Sequence, residues 1–349
     1  MDWLEALILG VVQGLTEFLP VSSDGHLAVF QMLFAHWTGR GRSGAENLFF
    51  DVMLHLGTLA AILVQYRRPI AAGARGLLGV PGVPEVYRRS SILRIGLLAM
   101  VGTLPLIPDA LYFKKAIEQA FDSPLATGIG FLITAAVLAL TTRLRGGDKG
   151  PETTTWLDAL AVGIAQAFAP LPGVSRSGLT IAAALALGFR KTWAVGFSLL
   201  IAVPAILGAT IFEVKDVDPA YLSSERILQT VIATVVAGLV GYVAIVWLVR
   251  VVRSGRLWYF SVYLVVLAAA VLVLAGLSKT RTEKQPDARQ SRTVVGPAWS
   301  VALGAPPGAR ADRAVRPMAR PLRDGSRAGP PPADAPASGR LRPARLVLG

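Results

Sequence analysis

"GVVQGLTEFLPVSSDGHL", residues 10–27, begins as an apolar helix and then sets Glu17, two serines, an aspartate and a histidine where a membrane helix would continue into lipid. Gln13 and Glu17 are four residues apart and so share a helical face. Pro20 biases Leu19 out of the helix, and Gly25 can supply a tight turn. An ionisable group at membrane depth is costly and usually functional. The stretch predicts the polar tip of a helical hairpin rather than a span.

Composition supplies the setting. Of 349 residues, 53% are hydrophobic and 16% charged, and several apolar runs reach about 20 residues, enough to cross a ~30 Å hydrocarbon layer. An integral membrane protein is expected. The opening Met1-Asp2-Trp3-Leu4-Glu5 carries no basic region, so the first helix is not read as a removable signal peptide. The absence of cysteine excludes disulfides, thiol nucleophiles and thiolate metal sites. The net charge of +13 would suggest nucleic acid, but residues 279–349 hold fourteen basic and five acidic residues and so most of the excess. That stretch is rich in Pro, Ala, Gly and Arg without periodicity, and residues 278–349 are expected to form a disordered basic tail. No nucleic-acid partner is read from it.

Spans are expected at about 48–66, 91–113, 124–142, 190–212, 228–252 and 257–277. Arginines crowd the 67–95 and 250–256 loops, which the positive-inside rule assigns to the cytoplasm, whereas the acidic 213–227 loop suits the outside. Alternation then puts 143–157 inside. Residues 1–35 and 158–188 must each enter and leave on one side. At a constant offset of 153, Gly10, Gln13, Val21, Ser22 and Gly25 match Gly163, Gln166, Val174, Ser175 and Gly178. The expected fold is therefore an all-α polytopic membrane protein, with six transmembrane helices plus two re-entrant helical hairpins in an inverted-topology repeat. Repeat one covers 1–142 and repeat two 158–277, within one membrane domain of 1–277. Such repeats bring broken helices together near the midplane, where irregular backbone is tolerated if protein buries it.

The second break, "APLPGVSRSGLT", offers Ser175, Arg176, Ser177 and Thr180 after Pro170, Pro172 and Gly173. An arginine with hydroxyls at a helix start makes an anion site that suits phosphate. Together the tips supply a carboxylate, a histidine, hydroxyls and a guanidinium, the parts needed for phosphoryl transfer.

"QGLTEFLPVSSDGHL" and "PGVSRSGLT" resemble the (E/Q)xxxE and PGxSRSxxT motifs of the undecaprenyl pyrophosphate phosphatases of the bacitracin-resistance type, over residues 1 to about 277. The resemblance implies hydrolysis of undecaprenyl pyrophosphate to undecaprenyl phosphate, which recycles the carrier for peptidoglycan synthesis and gives bacitracin resistance. It implies a site at the outer face of the bacterial plasma membrane and dependence on a divalent cation, Mg²⁺ or Ca²⁺, with Glu17 as a ligand. A homodimer is a possible assembly. Carried over, Glu17, Ser23, His26 and Arg176 are catalytic, while Gln13, Ser22, Ser175, Ser177 and Thr180 bind substrate. Asp24 departs from the usual hydroxyl residue, and a helix cap is its favoured role. His36 and His55 are expected to be structural, although His55 could face the site with Asp51, four residues earlier.

The nucleophile stays open among Ser23, His26 and water. The spacing allows a Ser-His or a Ser-Glu pair, and the preferred expectation is Ser23 with His26 as its acid/base partner. A transporter would share the broken-helix architecture but needs no nucleophile. The other type of membrane lipid phosphatase requires a histidine after its SR element, and none follows Arg176.

Overall fold

The computed structural model describes residues 2–38, 44–121, 123–216 and 223–284. The tail expected from 278 lies outside the described residues from 285 onward, as does the side chain of His36. Helices α1 (Trp3–Phe18) and α2 (Ser23–Thr38) form the first hairpin. They are followed by α3 (Gly44–Gln65), α4 (Arg67–Leu77), α5 (Arg89–Thr103), α6 (Lys114–Phe121) and α7 (Pro124–Leu140). The second half holds α8 (Trp156–Ala167), α9 (Arg176–Ala186), α10 (Lys191–Glu213), α11 (Ser224–Arg253) and α12 (Trp258–Lys284). Apart from an isolated bridge between Lys149 and Phe189, no β-structure occurs among the described residues.

Among the described residues five helices are long and apolar enough to cross a membrane: Arg89–Phe121, Pro124–Arg143, Lys191–Glu213, Ser224–Arg253 and Trp258–Gly276. A sixth is added if Phe49–Gln65 and Arg67–Leu77, bent by 71° at Tyr66, count as one span. The chain is thus a multi-pass helical membrane protein. Within Arg89–Phe121, Pro105 and Pro108 lie beside short 3₁₀ and π stretches, the irregularities expected where a helix loses backbone donors.

The hairpin limbs are shorter than the spans. α1 has 16 residues and α8 has 12, about 24 and 18 Å of helix, less than a bilayer core. Side-chain caps begin α8 and α9: Thr155 accepts from the amide of Asp158, and Ser175 from that of Gly178. Each first limb lies against a long helix through a glycine. A methyl group at Gly10 would meet the Ala233 carbonyl of α11, and one at Gly163 the Gly102 carbonyl of α5. These two glycines are one of the matched pairs at offset 153. Small residues at such contacts let helix backbones approach closely.

Several loops are joined to one another by hydrogen bonds. Arg94 Nη1 donates to the Pro151 carbonyl at 2.7 Å, Arg190 N to the Lys149 carbonyl at 2.9 Å, and Lys191 Nζ to the Arg253 carbonyl at 3.3 Å. The 67–95, 143–157 and 250–256 loops, all expected on the cytoplasmic side, are linked by these bonds.

Candidate active site

The first hairpin turns at Leu19–Ser22, where Ser22 takes a φ of +70°. A non-glycine residue in this region is uncommon and stores strain, which surrounding contacts must hold. Ser22 Oγ accepts from the amide of Gly25 at 3.2 Å, and its carbonyl accepts from His26 Nδ1 at 2.7 Å. Ser22 thus occupies the capping role expected of Asp24. The second tip lies directly against the first: a Cβ on Gly25 would sit 2.8 Å from the backbone of Gly173 and 2.7 Å from the Phe131 ring. Gly173 has a φ of +84°, and its carbonyl accepts from Thr134 Oγ1 on α7. Ser177 Oγ donates to the Leu19 carbonyl at 3.2 Å, tying tip to tip.

Glu17 is the hub of the polar groups. Its Oε1 meets Arg176 Nη2 at 2.6 Å, joining residues 159 positions apart. Its Oε2 accepts from Ser23 Oγ at 2.7 Å and from Gln13 Nε2 at 3.1 Å. His55 Nε2 on α3 stands 3.5 Å from the same oxygen. The carboxylate, serine and guanidinium are therefore one contiguous, largely buried set, which suits activation of a hydroxyl beside a cationic phosphate donor.

Ser23 pairs with Glu17, and both ring nitrogens of His26 are engaged elsewhere. Because the Ser22 carbonyl can only accept, Nδ1 carries the proton, and Nε2 meets the Tyr263 hydroxyl of α12 at 2.7 Å. The expected Ser23–His26 pair is absent for this reason. The His26 ring also stacks on Tyr263 and meets Phe131 edge-on. Tyr263 additionally lines a cavity of about 760 Å³ whose walls include Thr16, Leu19 and Val21 of the first hairpin.

The hydroxyls expected to bind phosphate are occupied within the protein. Ser175 caps α9 and lies 3.3 Å from Ser177 Oγ, Ser177 is spent on Leu19, and Thr180 Oγ1 donates to the Arg176 carbonyl and meets Ser198 Oγ at 2.7 Å. All three are buried. Their hydroxyls build the tip and support Arg176, whose Nη1 also donates to the Ser198 carbonyl at 3.4 Å. Side-chain exposure rises from Glu17 (5%) through Arg176 (14%) and His55 (26%) to Asp24 (31%), so the site opens toward Asp24 and His55.

Sequence reasoning leaves two participants out and gives a third, His55, a structural role by preference. Tyr263 sits in an apolar helix 237 positions from its partner, and no local signal marks it. Ser198 is likewise a single small polar residue in a long apolar helix. His55 was visible as one half of an i, i+4 pair with Asp51, but it donates from Nδ1 to the Asp51 backbone carbonyl and directs Nε2 to Glu17 and Asp24.

The profile of the family described as bacitracin resistance protein BacA matches residues 6–270, which contain both tips and all but the end of the last apolar helix, Trp258–Gly276. The chain belongs to that family. Its BacA relatives include an undecaprenyl-diphosphatase of Carboxydothermus hydrogenoformans, 40% identical over 80% of this chain and 100% of that protein. The undecaprenyl-diphosphatase of Desulfatibacillum aliphaticivorans is 39% identical, over 78% of this chain and 99% of its own length. That of a Nocardioides strain is also 39% identical, over 78% and 97%. The BacA match thus spans nearly the full length of these relatives and stops short of the tail.

Proposed function

We propose that this protein hydrolyses undecaprenyl pyrophosphate to undecaprenyl phosphate and inorganic phosphate at the outer face of the bacterial plasma membrane. That activity serves lipid-carrier recycling for peptidoglycan synthesis and confers bacitracin resistance. The observation that carries the reading is the Ser23–Glu17–Arg176 chain, at 2.7 and 2.6 Å, formed where the two tips cross. The names of the relatives point to the same reaction.

In the first step Glu17 takes the Ser23 proton as Oγ attacks the terminal phosphorus. The bridging P–O bond breaks, and its electrons leave with the lipid monophosphate. Arg176 exchanges Glu17 for the terminal phosphate oxygens and neutralises their developing charge. Water then attacks the phosphoserine, and Glu17 returns its proton to the departing Ser23 oxygen. Both water protons leave on the inorganic phosphate, while His26, held at Nδ1 by the Ser22 carbonyl and at Nε2 by the Tyr263 hydroxyl, fixes the turn that presents Ser23.

The divalent cation implied by the family fits this site as an ion shared with substrate. Glu17 would hold it together with Gln13, whose buried Oε1 has no hydrogen-bond partner among the described residues. These are oxygen donors, which Mg²⁺ and Ca²⁺ prefer. Among the described residues no three His, Cys, Asp or Glu side chains form a complete cage, so pyrophosphate oxygens would complete the shell. When bound, the cation would neutralise pyrophosphate charge.

We also read the fold as two inverted repeats, 1–142 and 158–277, each a re-entrant hairpin followed by three spans. The placement of Gly10 on α11 and Gly163 on α5 supports this, because each first limb then leans on the second span of the other repeat. Phosphate release by the purified protein from a C55 pyrophosphate, with and without chelator, tests the activity. Absence of release in both conditions, from folded protein, overturns it.

A further inference from the structure

The cavity of about 760 Å³ lies against the first hairpin turn and has no part in the chemistry proposed above. Leu15, Leu19 and Val21 of the hairpin line it, together with Trp247 of α11 and Phe260 and Tyr263 of α12. The hydroxyls on its walls are spent within the protein. Thr16 Oγ1 donates to the Val12 carbonyl at 2.6 Å, Ser254 Oγ donates to the Val251 carbonyl at 2.9 Å, and the Tyr263 hydroxyl meets His26. Two charged side chains break this apolar lining, Arg250 and Arg256, which flank the turn between α11 and α12. The amides of Ser254, Gly255 and Arg256 donate to the carbonyls of Arg250, Val252 and Val251, with Gly255 at a φ of +69°, so the turn that spaces the two arginines is fixed. Neither guanidinium has a carboxylate partner among the described residues. Trp247 packs edge-on against Phe260 at 5.9 Å, and Trp258 and Tyr259 open α12, aromatic residues of the kind that mark the head-group level of a bilayer.

Apolar walls beside two unpaired guanidiniums call for a ligand with both a hydrocarbon chain and a phosphate. A free phosphate would leave the walls without a partner, and a zwitterionic lipid would leave the charge of the arginines unmatched. We propose that this cavity binds an anionic phospholipid of the leaflet that carries the arginine-bearing loops, with the phosphate between Arg250 and Arg256 and an acyl chain along Trp247, Phe260 and Leu19. The site differs from the one at Arg176, and it does not depend on the phosphatase reading. A bound chain also backs the turn from Leu19 to Val21.

The full chain is reconstituted in phosphatidylcholine vesicles that hold a trace of phosphatidylglycerol with a photoactivatable diazirine on one acyl chain. A phosphatidylcholine probe with the same chain is used at the same mole fraction, and labelled peptides are located by mass spectrometry. The phosphatidylglycerol probe should label the cavity walls, within 15–21 and 247–263, about tenfold more than the phosphatidylcholine probe, the preference expected of two basic side chains at an anionic lipid. Arg250→Gln combined with Arg256→Gln should bring the two probes level. Both arginines are exposed, so the substitutions leave no buried charge or void. The comparison of the two probes on the parent needs no variant. Equal labelling by both probes would mean chain contact alone and overturns the proposal, as does a label that survives in the double variant. Loss of the label to inorganic phosphate would make this a phosphate site. Loss to a C55 pyrophosphate at a lower concentration than to unlabelled phosphatidylglycerol would give the cavity to the substrate's own chain. Either result overturns the assignment.

Discussion

Glu17 is met from four directions, by Gln13, Ser23, Arg176 and His55, and each contact favours a carboxylate over its neutral amide. Glu17→Gln should therefore reduce turnover by about 10²-fold or more, because the general base is lost along with its hold on Arg176. Phosphate release under saturating substrate checks this. Arg176→Lys keeps the charge and loses the planar fork that spans Glu17 and the Ser198 carbonyl, with a similar loss expected. Turnover within about threefold of the parent in a folded Arg176→Lys protein would remove the arginine from the transferring phosphate. Ser23→Ala should abolish an acid-stable, base-labile phospho-enzyme trapped by acid quench. A label that is lost in acid would assign the attack to His26. Gln13, Glu17 and Arg176 could be read from the sequence because helix periodicity and a Pro/Gly break are local signals. The pairing of Ser23 with Glu17 instead of His26 could not, since it depends on Ser22 entering the left-handed region and turning its carbonyl toward the ring.

At the scale of elements, two broken helices are held tip to tip by contacts that leave no space for side chains. Gly25→Ala would set a methyl group under 3 Å from the Phe131 ring and the Gly173 backbone. The expected cost is about 1–3 kcal/mol of stability, as for other overpacked sites, together with a loss of activity larger than the fall in folded protein. Thermal unfolding in detergent and turnover per folded molecule separate the two effects. Five of the six expected spans were legible as apolar runs, and the ends of α10 and α11 fall within a few residues of the expected ones. The bend at Tyr66 and the irregular turns after Thr103 were not, because hydropathy averages over them. The offset of 153 pairs Gln13 with Gln166, but Pro170 stands where Glu17 would recur, and Gln166 instead donates to the Gly102 carbonyl. The two tips differ in chemistry: the first carries the carboxylate of Glu17 and the second the guanidinium of Arg176.

At the largest scale, the bonds among the 67–95, 143–157 and 250–256 loops bring three arginine-bearing segments together. The chain has no cysteine, so single cysteines can be introduced without background. Impermeant thiol reagents applied to intact cells should label positions near residue 2 and in the 213–227 loop, and should reach the 67–95 and 143–157 loops only after lysis. Labelling of the 67–95 loop from outside would exclude the inverted arrangement. The shared positive charge of these loops is what groups them in the sequence, whereas the meeting of α1 with α11 and α8 with α5 is long-range packing that local patterns do not encode.

The 2.6 Å bond between Arg176 and Glu17 also bears on inhibition. The guanidinium already has an anionic partner, so a ligand must compete with a carboxylate that is tethered in place and acts at high effective concentration. Weak monoanions lack the charge to displace it, and a terminal phosphate with two negative charges gains most from the exchange. Inhibitor design should therefore preserve a dianionic head group: in a competition series on one prenyl tail, a phosphonate should outrank a sulfonate of the same shape by about tenfold or more.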